Sequence, residues 1–466
     1  MGDFTAWQWF VLFQHELLLF AGVFFLIGSL DELIVDLAWF WLKLTGRAKT
    51  ARFTAAGSGA RLSLQDSHAI VFIPTWQEAA VIGATIRHAL TVWPQKNIRF
   101  YIGCYRNDPE TMAAVIHAAR GDTRLRMVVN DRAGPTTKAD CLNRLYQALQ
   151  TDEAQQRFTS GFIVLHDAED MVDPAALALM TSAMERSDLV QLPVLPVKQP
   201  SSLWISGHYQ EEFAEAHGKA MVVRDAMRAA MPLAGVGCAI SRQTLTALAE
   251  TKPDRLPFSA ECLTEDYELG LGVAELGGSA RFIRMRDDSG DLIATRACFP
   301  KELDQAVRQK TRWIHGVALQ GWDRLGWKAR PAEIWMRLRD RRGPLTALVL
   351  ATAYILLILS TLGWVLSANG YGEPAALPEG LKWVLTLNFI SFMWRAIMRF
   401  AFTTREYGWR EGLCAVLRIP VTNIIAIMAG RRALFAYIGT LAGQLPQWDK
   451  TDHAAHPLLI HKKARA

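Results

Sequence analysis

Three acidic clusters and an Arg-Trp pair follow one another along this chain: Asn107-Asp108, Asp167-Ala168-Glu169-Asp170, Thr264-Glu265-Asp266 and Gln309-Lys310-Thr311-Arg312-Trp313. Carboxylate oxygens suit a hard divalent cation, and a diphosphate can complete its coordination. A carboxylate held at a helix start can act as a general base. Arginine forms paired hydrogen bonds to phosphate, and tryptophan offers a flat apolar face to a sugar ring. The types and their order point to a site holding a metal-bound diphosphate, a base and an acceptor platform. Each cluster also has a structural reading. Asp167, Glu169 and Asp170 could cap a helix near Asp173-Pro174, and Asn107-Asp108-Pro109 has the form of a turn and N-cap. Thr264 followed by two acids describes a capped helix start, which is compatible with catalysis. The basic stretch 302–322, which carries Gln309, Arg312 and Trp313, could lie on a membrane surface.

Other chemistries find less support. Gly134-Pro135-Thr136-Thr137-Lys138-Ala139-Asp140 resembles a phosphate loop only loosely and fails the P-loop pattern, and Gly235-Val236-Gly237-Cys238 lacks the dinucleotide fingerprint. The six cysteines are scattered with no CxxC pair, which suits neither a zinc site nor a disulfide framework and predicts reduced thiols in a cytosolic compartment. His166 and His315 have no partner at ligand spacing and read as structural. Nothing points to a nucleic-acid partner.

The elements that must position these residues read as α/β. Apolar runs Ala69–Pro74, Arg99–Cys104, Leu125–Val129, Gly161–His166 and Leu189–Val194 have strand character. Helical spacing covers 78–92, 109–120 and about 137–149. This alternation predicts a parallel, doubly wound sheet, whose ligands bind beyond the carboxyl ends of the strands. Trp76-Gln77-Glu78, Asn107-Asp108 and Asp167–Asp170 all fall just after strands, so they share that edge.

Around this region the chain is apolar. It has 466 residues, 51% of them hydrophobic, with sixteen Trp and twenty-one Phe, and a mean hydropathy of +0.09. Phe10–Leu30, continuing through Trp41, and Leu345–Leu366 are long enough to cross a bilayer. Leu381–Phe402 is interrupted by Lys382, Arg395 and Arg399, which could snorkel from its ends. Leu413–Gly430, with Arg418 and Pro420, suits an interfacial or re-entrant helix as well as a span. Lys43, Arg47, Lys49 and Arg52 follow the first segment, and Arg337, Arg339, Arg341 and Arg342 precede the second. The middle region is therefore expected on the cytoplasmic side, with the acidic loop 367–380 outside. Basic residues around Arg324, Lys328, Arg330 and Arg337–Arg342 would seat it on anionic headgroups.

On Arg106–Pro109, Gly134–Asn143, Leu165–Asp170, Leu263–Tyr267 and Gln309–Trp313, the chain resembles the processive, inverting glycosyltransferases of family 2, which include the bacterial cellulose and hyaluronan synthases. That resemblance implies an α/β GT-A (Rossmann-like) catalytic domain with transmembrane helices. Its expected division is a transmembrane helix in 1–45, the catalytic domain in 60–325 and a basic interfacial segment in 326–344. Transmembrane and interfacial helices follow in 345–435, and a cytoplasmic tail in 436–466. It further implies that Glu78 and Asp108 contact the base and ribose of a UDP-sugar, with Lys138, Asp167 and Arg312 also on the donor. Asp167 with Glu169 or Asp170 would hold Mg²⁺ or Mn²⁺, although the family's usual Asp-x-Asp is here Asp-Ala-Glu-Asp. Asp266, beside Glu265, would be the base, and Gln309 and Trp313 would face the acceptor. The implied setting is a bacterial inner membrane, with a growing exopolysaccharide as acceptor and an outer-membrane export partner. Single-sugar transfer to a polyprenyl phosphate lipid and a non-enzymatic docking role are the rival expectations.

Overall fold

The computed structural model describes residues 4–54, 67–327, 329–373, 376–444 and 456–458. Lys328 of the basic stretch and most of the segment 436–466 lie outside the described residues. The strands are β1 (Ser67–Pro74), β2 (Ile98–Tyr105), β3 (Leu125–Asn130), β4 (Thr159–Leu165), β5 (Leu189–Gln191), β6 (Val194–Pro196), β7 (Cys238–Ser241), β8 (Ala280–Phe282) and β9 (Thr295–Ala297). Seven of them form one sheet in the order β3-β2-β1-β4-β7-β5-β8, and β6 pairs with β9 separately. Helices α1 (Ala6–Leu44), α2 (Ile82–Val92), α3 (Pro109–Ala119), α4 (Lys138–Gln156), α5 (Ala176–Met184), α6 (Gly207–Glu215), α7 (Met221–Ala226) and α8 (Arg242–Glu250) precede α9 (Glu265–Glu275) and α10 (Leu303–Trp313). The chain continues through α11 (Gly321–Leu325), α12 (Pro331–Arg341), α13 (Gly343–Ala368), α14 (Glu379–Tyr407), α15 (Trp409–Leu417) and α16 (Ile419–Leu441).

Strand β1 is buried on both faces. Ala69, Val71 and Ile73 join one apolar cluster with Ile82, Ile86 and Trp93, while Ile70 and Phe72 join another with Leu142, Leu145 and Leu149. A strand covered on both sides has no polar face to alternate, which is why its sequence is a continuous apolar run. β2 and β4 flank β1 in parallel, so the strand order reverses between β1 and β4. That is where such sheets bind ligands.

The sheet is mixed rather than all parallel. β7 runs antiparallel to both β4 and β5, with Cys238 opposite Leu165. Its four residues are too few for periodicity to reveal. Because it is reversed, its amino end lies at the edge where β1 and β4 have their carboxyl ends, so Gly235, just before it, arrives beside Asp266. The expected fifth strand divides at Leu192-Pro193, because proline cannot donate to a ladder; β5 stays in the main sheet and β6 leaves for β9. The helix expected from Glu78 begins at Ile82, since Glu78 donates its amide to Thr111 Oγ1 at 2.9 Å. The expected continuous helix over 302–322 is α10, a widened π turn at Ile314–Gln320, and α11.

Among the described residues four helices, α1, α13, α14 and α16, are long and apolar enough to cross a membrane. The segment 413–430 contains a break at Arg418 between α15 and α16; Pro420 sits in the first turn of α16, where a missing N–H costs no helical bond. Charged groups join these helices to α6 and α12. Asp31 of α1 accepts from Trp335 Nε1 at 2.7 Å and from Arg342 at 2.7 Å, and Glu32 meets Arg339 at 2.8 Å and Arg395 at 3.1 Å. Arg395 and Arg399 thus turn inward to acids rather than snorkel, Arg399 reaching Glu211 at 3.8 Å. Arg337 and Arg341 are buried too, on Glu333 at 2.9 Å and on the carbonyls of Gly321 and Gly326 at 2.8 Å. Most of the basic stretch expected on headgroups is spent on internal pairs.

Deepest in this network, Lys219 Nζ lies 2.5 Å from Asp36 and 2.7 Å from Glu215, and Trp394 Nε1 donates to Asp36 at 2.7 Å. Removing one member of a buried pair leaves an uncompensated charge and costs about 3–5 kcal/mol. Lys219→Met should therefore lower stability by about that amount in detergent-solubilised unfolding measurements, and adding Asp36→Leu should recover part of the loss. An unchanged unfolding midpoint for Lys219→Met would show that this pair does not fasten α1 to the segment between α6 and α7.

Candidate active site

The cleft over the β1–β4 switch point holds about 1180 Å³ including its open mouth, and its walls include Glu78, Lys138, Asp167, Glu169, Asp170, Glu265, Asp266, Gln309, Arg312 and Trp313. Of the residues expected in the site, Asp108 is the exception. It caps α3 by accepting from Thr111 N at 3.3 Å and binds the amide of Gln77 at 2.5 Å. It thereby holds the turn that presents Trp76 and Glu78, and does not line the cleft itself. Asn107 does similar work, exchanging bonds of 2.7 and 2.8 Å with the backbone of Gly134.

Lys138 stands at the centre, as the first residue of α4. Its Nζ is 2.5 Å from Asp167 and 3.7 Å from Glu265. A cation at a helix amino end opposes the helix dipole, so the acids must outweigh that as well as burial. Burial favours loss of the Lys138 proton, but Asp167, Glu265 and Asp266 reverse this and hold the amine well above its ordinary range. Two hydrogen-bond systems fix α4 against the segment leading to the base. Thr137 Oγ1 donates to Ala260 O at 2.7 Å, and Asn143 exchanges bonds of 2.7 and 3.1 Å with the backbone of Phe258. Gly235, at φ +74°, passes so close that a Cβ there would lie 2.8 Å from Asp266 Oδ2 and 3.3 Å from Lys138 Nζ.

The acids divide by environment. Asp170 is buried, accepts from the Asp167 amide at 2.9 Å and pairs with His166 Nδ1 at 2.9 Å; burial raises its pKa. It shapes the loop that presents Asp167 and Glu169, with His166 as its structural partner. Glu265 and Asp266 occupy the first turn of α9. Thr264 stands at the cap position without making a side-chain cap bond. Burial pushes Glu265 up to about 7, opposed by Lys138 and reinforced by Asp266. Burial likewise raises Asp266, with Lys138 opposing.

Among the described residues no group of three or more His, Cys, Asp or Glu is placed to hold a metal by itself. Yet Asp167, Glu265 and Asp266 surround a single lysine, with Glu169 on the same wall. This excess negative charge would repel a diphosphate unless another cation joined it. Hard oxygen donors of this kind fit Mg²⁺ or Mn²⁺, with the diphosphate supplying the remaining ligands.

The facing wall is aromatic. Trp313 makes edge contacts with Tyr209 and Phe213, at centroid distances of 6.1 and 6.4 Å, and Phe299 packs on both at 4.6 and 5.1 Å. Lys310 lies over Trp313 and Tyr209 and pairs with Glu212. Arg312 approaches near enough to oppose the rise of the Asp266 pKa. Phe213 and Phe299 were not legible as site residues, because neither α6, which carries Phe213, nor the loop that carries Phe299 bears a motif. Trp76, packed edge-on to Tyr105 at 5.2 Å, was signalled only by its place after β1.

A mixed α/β sheet with its acids gathered where the strand order reverses is the GT-A arrangement. The chain belongs to the family described as glycosyltransferase like family 2, whose model matches residues 68–316. It is 32% identical to bacteriophage adsorption protein B of Escherichia coli (strain K12), over 93% of this chain and 61% of that protein. The figures are the same for bacteriophage N4 adsorption protein B of Escherichia coli O157:H7, so the chain spans about 61% of the length of these curated relatives. Among solved structures it is similar to a mannosyltransferase from Pyrobaculum calidifontis in complex with GDP-Man and Mn²⁺, with TM-score 0.48 and 16% identity over 88% of this chain and 99% of that one. It is also similar to glucosyl-3-phosphoglycerate synthase from Mycobacterium tuberculosis in complex with Mn²⁺, UDP and phosphoglyceric acid, with TM-score 0.34 and 16% identity over 55% and 78% of the two chains.

The raised pKa of Glu265 has a consequence for stability. Between 4.5 and about 7 the folded state holds a proton that the unfolded state has released, so this group's stabilising contribution is present below 4.5 and is lost as pH rises through about 7. Glu265→Gln should flatten that part of the profile in thermal unfolding at low ionic strength. A variant whose stability falls with pH as steeply as the wild type would reject the assignment.

Proposed function

We propose that the chain transfers a sugar from a UDP-sugar donor to a growing exopolysaccharide, with inversion at the anomeric carbon, on the cytoplasmic side of a bacterial inner membrane. The observation that carries this reading is the convergence of Lys138, Asp167, Glu265 and Asp266 in one cleft at the sheet's switch point. The division of labour follows the segments: 60–325 performs the chemistry, while 1–45 and 345–435 hold it at the bilayer and 326–344 joins the two.

Asp167 and Glu169 would hold Mg²⁺ or Mn²⁺, which when bound neutralises the donor's diphosphate. Glu78 and the turn held by Asp108 face the nucleotide. Asp266 takes the proton from the acceptor hydroxyl, whose oxygen forms the new bond to the anomeric carbon as the bond to the UDP oxygen breaks. Burial keeps Asp266 more basic than an exposed carboxylate, which brings it nearer the pH where base catalysis is efficient. Lys138 and Arg312 meet the charge developing on the leaving diphosphate. Gln309 and Trp313, on the aromatic wall, seat the acceptor end. Asp170 serves through its grip on the Asp167 amide. An export partner in the outer membrane would receive the product.

Asp266→Asn should reduce UDP release from UDP-sugar by ~10²–10⁴-fold while leaving UDP binding within a few-fold of wild type. A screen of UDP-glucose, UDP-N-acetylglucosamine and UDP-N-acetylmannosamine in purified membranes identifies the donor for that assay. Normal turnover by the variant would remove Asp266 from its role. One sugar per lipid product would replace the polymer acceptor with a polyprenyl phosphate.

A further inference from the structure

A second cleft opens where α1 ends, bounded by residues 42–50, α7 and the following turn, the edge strand β8 and Arg330. It holds about 2190 Å³ including its mouth. Its charged lining is eight basic residues against one acid, Asp225. Arg281 is paired with that acid at 2.9 Å. Lys43, Arg47, Lys49, Arg186, Arg228 and Arg330 have no acidic partner within ion-pair distance among the described residues, and all but Lys43 are exposed. Arg284 shares the single acid Glu406 with Arg286 and Arg405. Burial, together with Arg405 and Arg286, pushes Arg284 down to about 10 despite Glu406, as expected where positive charge is in excess.

Two features select the class of anion. The floor is made of small residues, Gly277 to Ala280 on one side and Ala226, Ala229 and Ala230 on the other. Among the described residues the only aromatic ring in the lining is Phe282, itself buried, so these residues offer no platform for stacking a nucleotide base. The mouth adjoins the last turn of α1, where Trp41 is 63% and Leu44 84% exposed. Exposed Trp and Leu next to Lys43, Arg47 and Lys49 place the cations at the level of lipid headgroups. Trp39 ties the floor to this helix by donating to Gly218 O at 2.9 Å.

We propose that this cleft is a binding site for the phosphate-bearing headgroup of an anionic phospholipid, separate from the transfer site. Its guanidinium and ammonium groups recognise the phosphate oxygens, and Trp41 and Leu44 lie along the acyl chains.

The test titrates fluorescent phosphatidylglycerol into the full chain in neutral detergent, with phosphatidylcholine as the uncharged-headgroup arm and glycerol 3-phosphate as the free-phosphate arm. Saturable binding of phosphatidylglycerol alone is expected. Arg47→Gln with Lys49→Gln, and separately Arg228→Gln with Arg330→Gln, should each weaken it by roughly tenfold or more. Lys96→Gln with Arg120→Gln, which removes the same charge outside the cleft, should leave it unchanged. Equal affinity of wild type and both cleft variants would overturn the proposal, as would equal binding of phosphatidylcholine. Displacement by glycerol 3-phosphate at concentrations matching the lipid would overturn the lipid assignment in favour of a soluble phosphate.

Discussion

One buried lysine reconciles the parts of the transfer site. Acids just after β4 and on α9 could not share one cleft without a cation between them, because like charges at this range oppose one another's ionisation. Lys138 supplies that cation from the start of α4, touching Asp167 at 2.5 Å. Much of the surrounding structure serves this placement. Thr137 and Asn143 bind α4 to the segment before α9, and the bare backbone of Gly235 lets Asp266 and Lys138 approach. Asp170 fixes the amide of Asp167 from below. The lysine only partly offsets the acids, and the remaining negative charge is what makes the cleft suited to a divalent cation and its diphosphate.

The layer of long apolar helices repeats the same principle with the signs reversed. Asp31, Glu32 and Asp36 stand on an apolar helix, where an unpaired carboxylate would be costly. Each is met by a cation or an indole from another element: Arg342 and Trp335, Arg339 and Arg395, Lys219 and Trp394. Such pairs contribute less net stability than their Coulomb attraction suggests, because both partners lose water. Their directionality instead fixes α1 in rotation and depth against α12 and α14. The aromatic wall that carries Trp313 is set by α6 and α10, and these helices rest on α14 and α16 through Ala214 against Met398 and Phe402 and through Val307 against Ile425 and Ala429. The position of that wall therefore depends on the long apolar helices α14 and α16.

The first four strands were legible because each is a bounded apolar run, and the clusters at their ends were legible because acids after such runs are unusual. The antiparallel β7 was not, since four residues carry no period and its partners β4 and β5 both lie far back in the chain. The direction of Asp108 was also hidden. A capping aspartate and a ligand-binding one have the same residue pattern, and the bonds to the Thr111 and Gln77 amides show the capping one. The ambiguity between Glu169 and Asp170 has the same origin, and the His166 contact of Asp170 gives the two acids different environments. For the basic residues, the Glu333–Arg337 spacing along α12 offered only a surface ion pair, and the burial of Arg337 and Arg341 also depends on the carbonyls of Leu325, Gly326 and Gly321, which that spacing does not encode.

The account turns on Lys138 and the acids around it forming a diphosphate site that is completed by a divalent cation. Calorimetric titration of UDP into the full chain, with and without Mn²⁺, measures this directly when wild type is compared with Lys138→Met and Asp167→Asn. The account predicts Mn²⁺-dependent binding to wild type, lost in Asp167→Asn and strongly weakened in Lys138→Met. Equal UDP affinity in all three proteins, unaffected by Mn²⁺, would contradict it.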